Sequence, residues 1–223
     1  MKAYFPFLMA GCLSLFVVVA AEPDGRRFPG DGPVVGADAP DFKLTLVGQQ
    51  KQLHLADRTG KKPVVLMFGS FTCGPFCRGS GNVEAIYKNY EEKADFVFVY
   101  IREAHPSDEG GQRRSGAKAG PRESGGGGFG ALPQAKTETE RHAAATKAIQ
   151  GLGLTMTAVV DDMSNSAGKA YGAWPDRLYI INAQGKIAYK SAPGPWGFKP
   201  EEMEAALKNL LEIDESAKPA SKD

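Results

Sequence analysis

The sequence predicts an α/β fold in which a central mixed β-sheet is flanked by helices, and three observations predict it. Pro63–Phe68 and Phe96–Ile101 are continuous apolar runs, the pattern of strands buried on both faces. Between them Val83, Ile86, Tyr87 and Tyr90 recur at helical spacing. A short segment, Cys73-Gly74-Pro75-Phe76-Cys77, stands where the first of these strands gives way to the helix.

Taken in order, residues 22–36 are rich in Pro, Gly and Asp and are expected to form a flexible lead-in. Phe42–Leu46 alternates and predicts a strand, with Gly48-Gln49-Gln50 as the hairpin turn before Gln52–Leu55. The buried strand Pro63–Phe68 comes next, then a helix whose periodic part is Asn82–Glu92, then the strand Asp95–Ile101. From 107 to 132 the composition turns to Gly, Ser, Arg and Lys, including Gly125–Gly128, and predicts a mobile insertion. A helix is expected over Thr137–Gln150, ended by Gly151, and a short strand at Ala158–Val160. Arg177–Asn182 and Lys186–Lys190 form a hairpin over Ala183-Gln184-Gly185, and Pro200–Glu212 an amphipathic closing helix. One domain thus occupies 37–212, and 213–223 is a polar tail. Strand, helix, strand, helix, strand, hairpin, helix is the thioredoxin order, with helices on both faces of the sheet.

The 223 residues, 42% hydrophobic and 24% charged, suffice for one packed core plus tails. A net charge of +1 offers no field to hold nucleic acid. Lys2 followed by an apolar run over residues 3–21 and then Glu22-Pro23-Asp24-Gly25 predicts a signal peptide cleaved near Ala20 or Ala21. Left uncleaved, the run is long enough to anchor the chain in a membrane. A lipid anchor on Cys12 ranks last, because the residues after Cys12 stay apolar. An exported domain, periplasmic or extracellular, is the expectation, and homodimerisation is left open.

Without Cys12 the domain keeps two cysteines, Cys73 and Cys77, too few and too close for a disulfide scaffold. Pro75 suits the first helical position, which puts Cys73 just ahead of the helix and Cys77 in its first turn. Unpaired N–H groups and the positive helix end there are expected to lower the pKa of Cys73 and present an exposed thiolate nucleophile. Two apolar fillers would be the plain alternative, but Thr-Cys-Gly-Pro is an odd way to write a core. A metal reading also exists. Cys-x-x-x-Cys with a distant His is similar to the copper carriers of the Sco family, although those place Pro directly after the first Cys. Of His54, His105 and His142 none is plainly a ligand, so no metal residue is assigned.

Longer segments carry a further resemblance. Phe68-Gly69-Ser70-x-Thr72-Cys73-x-Pro75-Phe76, Ala94-Asp95-Phe96, and Tyr100-Ile101-x-Glu103-Ala104-His105-Pro106-Ser107-Asp108 follow one another at fixed spacing. Asp162-Met163-x-Asn165-Ser166, Tyr171-Gly172-Ala173, Arg177-Leu178-Tyr179 and Gly194-Pro195-x-Gly197 come after them. From about residue 63 to 212 the chain resembles the iodothyronine deiodinases, with Cys73 where vertebrate members carry selenocysteine. The resemblance implies that Cys73 attacks and that Ser70, Thr72, Tyr100, Glu103 and His105 handle substrate and relay protons. It also implies that Arg177 contacts substrate, or else steadies the Cys73 thiolate. Pro175 is expected to be the cis proline that thioredoxin folds set beside the reactive cysteine. Phe71 stands where many deiodinases have Cys, Ala135 where vertebrate members have a second His, and Cys77 is an addition.

The cysteine pair predicts a thiol-dependent oxidoreductase, and the resemblance implies that it acts as a reductive dehalogenase. Cys73 accepts halogen or oxygen, and Cys77 or an external thiol restores it. No cofactor is expected beyond that thiol electron donor. The alternatives are a general thiol–disulfide oxidoreductase or thiol peroxidase acting on thiol or small-molecule substrates, a copper-binding chaperone, and a binding domain that kept the fold without catalysis.

Overall fold

The structure is a computed structural model that describes residues 30–108 and 131–216. The apolar segment 3–21, the first part of the lead-in, residues 109–130 of the glycine-rich insertion and the last seven residues lie outside the described residues. The strands are β1 Lys43–Leu46, β2 Gln52–His54, β3 Val64–Gly69, β4 Asp95–Tyr100, β5 Thr157–Val160, β6 Arg177–Ile181 and β7 Ile187–Lys190. The helices are α1 Gly74–Tyr90, α2 Glu138–Leu152, α3 Ser166–Ala170 and α4 Pro200–Ser216, with a 3-10 turn at Leu55–Asp57. All seven strands form one mixed sheet in the order β2-β1-β5-β4-β3-β6-β7. The central trio β5-β4-β3 is parallel, and the outer pairings are antiparallel. This is the thioredoxin-like arrangement expected from the order of elements.

Alternation along the strands builds two cores. Val65, Met67, Phe96, Phe98, Tyr100, Leu178 and Ile180 face one side, against Phe76 and Val83 of α1, Ala144, Ala145 and Ala148 of α2, and Met203 and Leu207 of α4. Val64, Leu66, Phe68, Val97, Val99, Tyr179 and Ile181 face the other side, against Phe42, Leu55, Ala167 and Tyr171. Cover is therefore uneven: three long helices share one face, and the short α3 with irregular chain covers the other. The strand order explains this. β3 to β4 and β4 to β5 are crossovers stepping the same way across the sheet, and connections of one hand place both helices on one side.

Four boundaries differ from expectation, the first being α4, which runs past Glu212 to Ser216 and takes in the first four residues of the expected tail 213–223. α1 begins at Gly74, eight residues before the periodic stretch, because Phe76 is wholly buried and anchors a first turn that Gly79 and Gly81 make weak by propensity. α2 runs past Gly151 and closes on Gly153 at φ 64°, the left-handed conformation that ends helices. The Leu55 end of the second predicted strand folds instead into the 3-10 turn, with Leu55 buried. The described end of the lead-in is packed: Gly36 donates to Ile187 O at 2.8 Å and Ala39 to Gly185 O at 2.9 Å, so residues 36–39 line the outer edge beside β7. On the two sides of the insertion, Ser107 N donates to Leu132 O at 2.8 Å and Gln134 N to the Asp108 carboxylate at 2.8 Å, bringing its ends together.

Candidate active site

The site lies at the C-terminal edge of the parallel strands, where this class of sheet places ligands and chemistry. β3 ends at Gly69, and no side chain fits there, since a Cβ would lie 2.1 Å from the Phe76 ring. Phe76 uses that space to stack on Phe98 at 5.3 Å and to meet Phe198 edge-on at 5.6 Å, drawing the start of α1 onto the sheet. Cys73 is the residue just before α1, with an extended backbone of φ −88° and ψ 104°. Cys77 is one turn on, its N–H bonded to the Cys73 carbonyl at 3.0 Å, and Pro75 takes the second helical position.

Cys73 Sγ donates to Asp176 Oδ2 at 2.9 Å. The cysteine is 1% exposed and the aspartate 0%. Burial, and then the Asp176 carboxylate, push the Cys73 thiol far above its ordinary range, which corrects the expectation of a lowered pKa and an exposed thiolate. The magnitudes explain the sign. A helix terminus contributes about 0.3–1 kcal/mol, less than one pK unit, whereas burial shifts a thiol by up to several units. Asp176 is itself pushed up by burial, and its second oxygen, Oδ1, is buried with no hydrogen-bond partner. Gly194 lies against that oxygen, so closely that a Cβ would sit 2.3 Å from it. The Trp174–Pro175 peptide bond directly before Asp176 is cis, as expected of Pro175.

A second buried carboxyl stands on the other side of the Ser70–Thr72 turn. Glu103, 2% exposed, accepts from Thr72 N at 2.9 Å and Thr72 Oγ1 at 2.6 Å on one oxygen, and from the Tyr100 hydroxyl on the other. Thr72 Oγ1 accepts in turn from His105 N at 3.0 Å, and Ser70 Oγ from Ala104 N at 3.1 Å, so the loops after β3 and β4 are fastened together. Burial pushes Glu103 up, against the downward pull of its Thr72 and Ser70 hydrogen bonds. The Cys77 thiol points to Phe71 O at 3.2 Å and Ser70 O at 3.8 Å on the same turn. It is pushed up to about 12 by burial and then by the charge of Glu103. Both cysteines are free thiols.

Seven of the expected residues therefore meet: Ser70, Thr72, Cys73, Cys77, Tyr100, Glu103 and Pro175. His105 contributes its backbone to the network while its imidazole is exposed. Arg177 does not belong to the site. Register sets it opposite Phe68 and on the Tyr179 side, the sheet face away from Cys73. There it donates to the carbonyls of Asp31, Gly172 and Ser191 at 2.8–3.1 Å. His54 is held by Asp41 at 2.5 Å, and His142 lines a cleft between α2 and the β1–β2 hairpin, so neither approaches the cysteines. Among the described residues no group of three or more His, Cys, Asp or Glu side chains is arranged to hold a metal.

The sequence model described as "Iodothyronine deiodinase" matches residues 31–211. The chain belongs to the iodothyronine deiodinase family. It is 33% identical to the type I iodothyronine deiodinase of Xenopus laevis over 178 residues, 79% of this chain and 64% of that one. Against the thyroxine 5-deiodinase of Sparus aurata it is 34% identical over 179 residues, 80% of this chain and 60% of that one. The match thus spans less than two thirds of the length of these relatives. In fold, the chain is similar to the thioredoxin domain of a thiol-disulfide oxidoreductase from Bacteroides vulgatus, with a TM-score of 0.52 at 14% identity, covering 82% of this chain and 99% of that one.

In this deiodinase-family chain Asp176, which touches the Cys73 sulfur, belongs to none of the segments that carry the resemblance. One signal was available: an ionisable residue between Pro175 and the apolar strand Leu178–Ile181 is costly to bury unless it is partnered. Arg141 and Asp161 likewise lie outside those segments. Both are buried beside the network, Arg141 donating to Asp162 O at 2.5 Å and to Asn165 Oδ1 at 2.9 Å, and Asp161 accepting from Ala167 N and Gly168 N.

Proposed function

We propose that this chain is a thiol-dependent reductive dehalogenase of the deiodinase kind, acting on a halogenated aromatic compound through Cys73. One observation carries the reading: the Cys73 sulfur, at the start of α1, lies 2.9 Å from the buried carboxylate of Asp176. The pair bears one negative charge whether the proton is on sulfur or on oxygen. Moving it therefore relocates a buried charge instead of creating one, and a thiol with so high a pKa still yields a nucleophile. Asp176 takes the proton, and the thiolate attacks the halogen. The S–X bond forms, the C–X bond breaks with its electron pair left on carbon, and a proton from the Tyr100–Glu103–His105 side gives C–H. An external thiol then displaces halide from Cys73 and leaves a mixed disulfide, which a second thiol clears.

The apolar run at residues 3–21 supports an exported domain, with a thiol donor in that compartment. No helix among the described residues is long and apolar enough to cross a membrane. A second reading, disulfide exchange on protein thiols, is favoured by the two free cysteines one turn apart. Iodide release from thyroxine with dithiothreitol as donor tests the first: release is expected from the wild type and none from Cys73→Ser. Reduction of a model disulfide with no iodide release from any iodinated phenol would establish the second reading instead.

A further inference from the structure

We infer that Trp196 is a specificity-determining residue of this site, the surface on which the aromatic ring of the substrate stacks while Cys73 takes the halogen. The inference rests on the dehalogenase reading and adds to it the side chain that recognises the ring. Its basis is the loop 191–199, which leads from β7 to α4 and crosses the site on the way. Gly194 N donates to the Asp176 carbonyl at 3.3 Å. The same glycine lies against the Asp176 carboxylate, since a Cβ on it would be 2.3 Å from Oδ1. Gly197 closes the turn on Ala192, whose carbonyl oxygen would be 1.9 Å from a Cβ on Gly197. Phe198 then reaches the first turns of α1, meeting the Phe76 ring at 5.6 Å and lying against Gly79. The loop is thus fixed at one point to the carboxyl that holds the Cys73 thiol, and at another to the helix that Cys73 precedes.

Trp196 stands between those two anchors, within about 7 Å of chain from Gly194. It is 88% exposed. Tryptophan is ordinarily well buried, and an indole left in water forgoes the stabilisation that burial would give. The other large apolar side chains left exposed, Val34, Val35 and Ile213, belong to the lead-in and to the far end of α4. Trp196 belongs instead to a loop held on the site. Pro193 and Pro195 each fix φ in this stretch, so the loop has little freedom to lose when a ring binds. Cys73 and Asp176 are so deeply buried that the pair meets only the halogen end of a substrate, and recognition of the ring falls to residues outside it. A flat indole there offers the offset stacking that aromatic pairs prefer.

Tryptophan fluorescence reads such a contact directly, because iodine quenches an indole that it touches. The chain has only two tryptophans, Trp174 and Trp196. In Cys73→Ser protein, which does not turn over, thyroxine is expected to quench in a saturable way. Adding Trp196→Ala to that background is expected to abolish the saturable part. In the active protein Trp196→Ala should raise the KM for thyroxine about 10-fold, with kcat changed by less than about twofold. Trp196→Phe should recover most of that loss. Alkylation of Cys73 by iodoacetamide, which has no ring, should keep its wild-type rate in both variants. An unchanged KM, with saturable quenching retained in Trp196→Ala, would overturn the inference and leave the dehalogenase reading intact. A fall in kcat and in alkylation rate at unchanged KM would make Trp196 a support of the Asp176 loop and would also overturn it. Saturable quenching that depends on Trp196, with no iodide released by the wild type, would overturn the dehalogenase reading alone.

Discussion

Asp176 carries one oxygen on the Cys73 thiol and the other, unpartnered, against Gly194. A carboxylate held there has two effects of opposite sense. At rest it keeps the proton on sulfur, because a thiolate beside it would be a second buried negative charge. In the proposed reaction it is the base within reach of that proton. Asp176→Asn separates the two. Iodoacetamide alkylation of Cys73 in a Cys77→Ser background is expected to reach its midpoint at least about one pH unit lower than with Asp176 present. Iodide release is expected to fall by about 100-fold in the same change. A midpoint that rises, or does not move, would mean that Asp176 does not govern the sulfur. Gly194→Ala should act on the same carboxylate from outside, since the added methyl contacts Oδ1. Cys73, Ser70 and Thr72 were legible because they sit in one contiguous motif with a mechanism attached. Asp176 lies 103 residues from its partner, and no local pattern records a contact made by tertiary packing.

At the scale of elements, the site exists because the first turn of α1 is pulled onto the end of β3. Propensity alone would start this helix later, past the glycines and serine at 79–81. Buried Phe76, stacked on Phe98 and edge-on to Phe198, outweighs that preference. Gly69→Ala puts a methyl where the Phe76 ring lies, and overpacking of this kind costs about 1–3 kcal/mol. Urea unfolding should show that loss, and alkylation of Cys73 should become faster as the first turn lifts. A variant as stable as the wild type would show that α1 can shift without strain. The second element contact is Arg141, which ties α2 to the loop ahead of α3. Arg141→Met removes hydrogen bonds from a charged donor and is expected to cost about 2–3 kcal/mol in the same assay. Strand positions, the hairpins and the helix α2 with its Thr137 cap were all written in local pattern. α3 was not, because its five residues are too few to show a period, and it is held by N–H bonds to the buried Asp161.

Over the whole molecule, several buried acids are neutral in the fold and raised above their ordinary values. Cys77, Tyr179 and Tyr189 are each pushed up to about 12, chiefly by burial, and Cys73 and Tyr171 higher still. A group with a raised folded pKa contributes its stability in full below the unfolded value, near 9.0 for Cys and 10.0 for Tyr, and loses it as pH rises toward the folded value. The unfolding free energy is therefore expected to decline from about pH 9 upward, and Cys77→Ser to make that decline shallower. Alkaline titrations monitored by circular dichroism would show it, and a flat profile from pH 9 to 12 would contradict the burial of these groups. The sequence by itself determined the order of elements, the strands that are apolar on both faces, the candidate cysteine motif and the family, because those are carried by local periodicity and contiguous motifs. Tertiary structure alone decided that Cys73 rests as a buried thiol on Asp176, that three helices crowd one face of the sheet, and that Arg177 turns away from the site. Each of these depends on strand order, register or long-range burial, which bring together groups that sequence distance keeps apart.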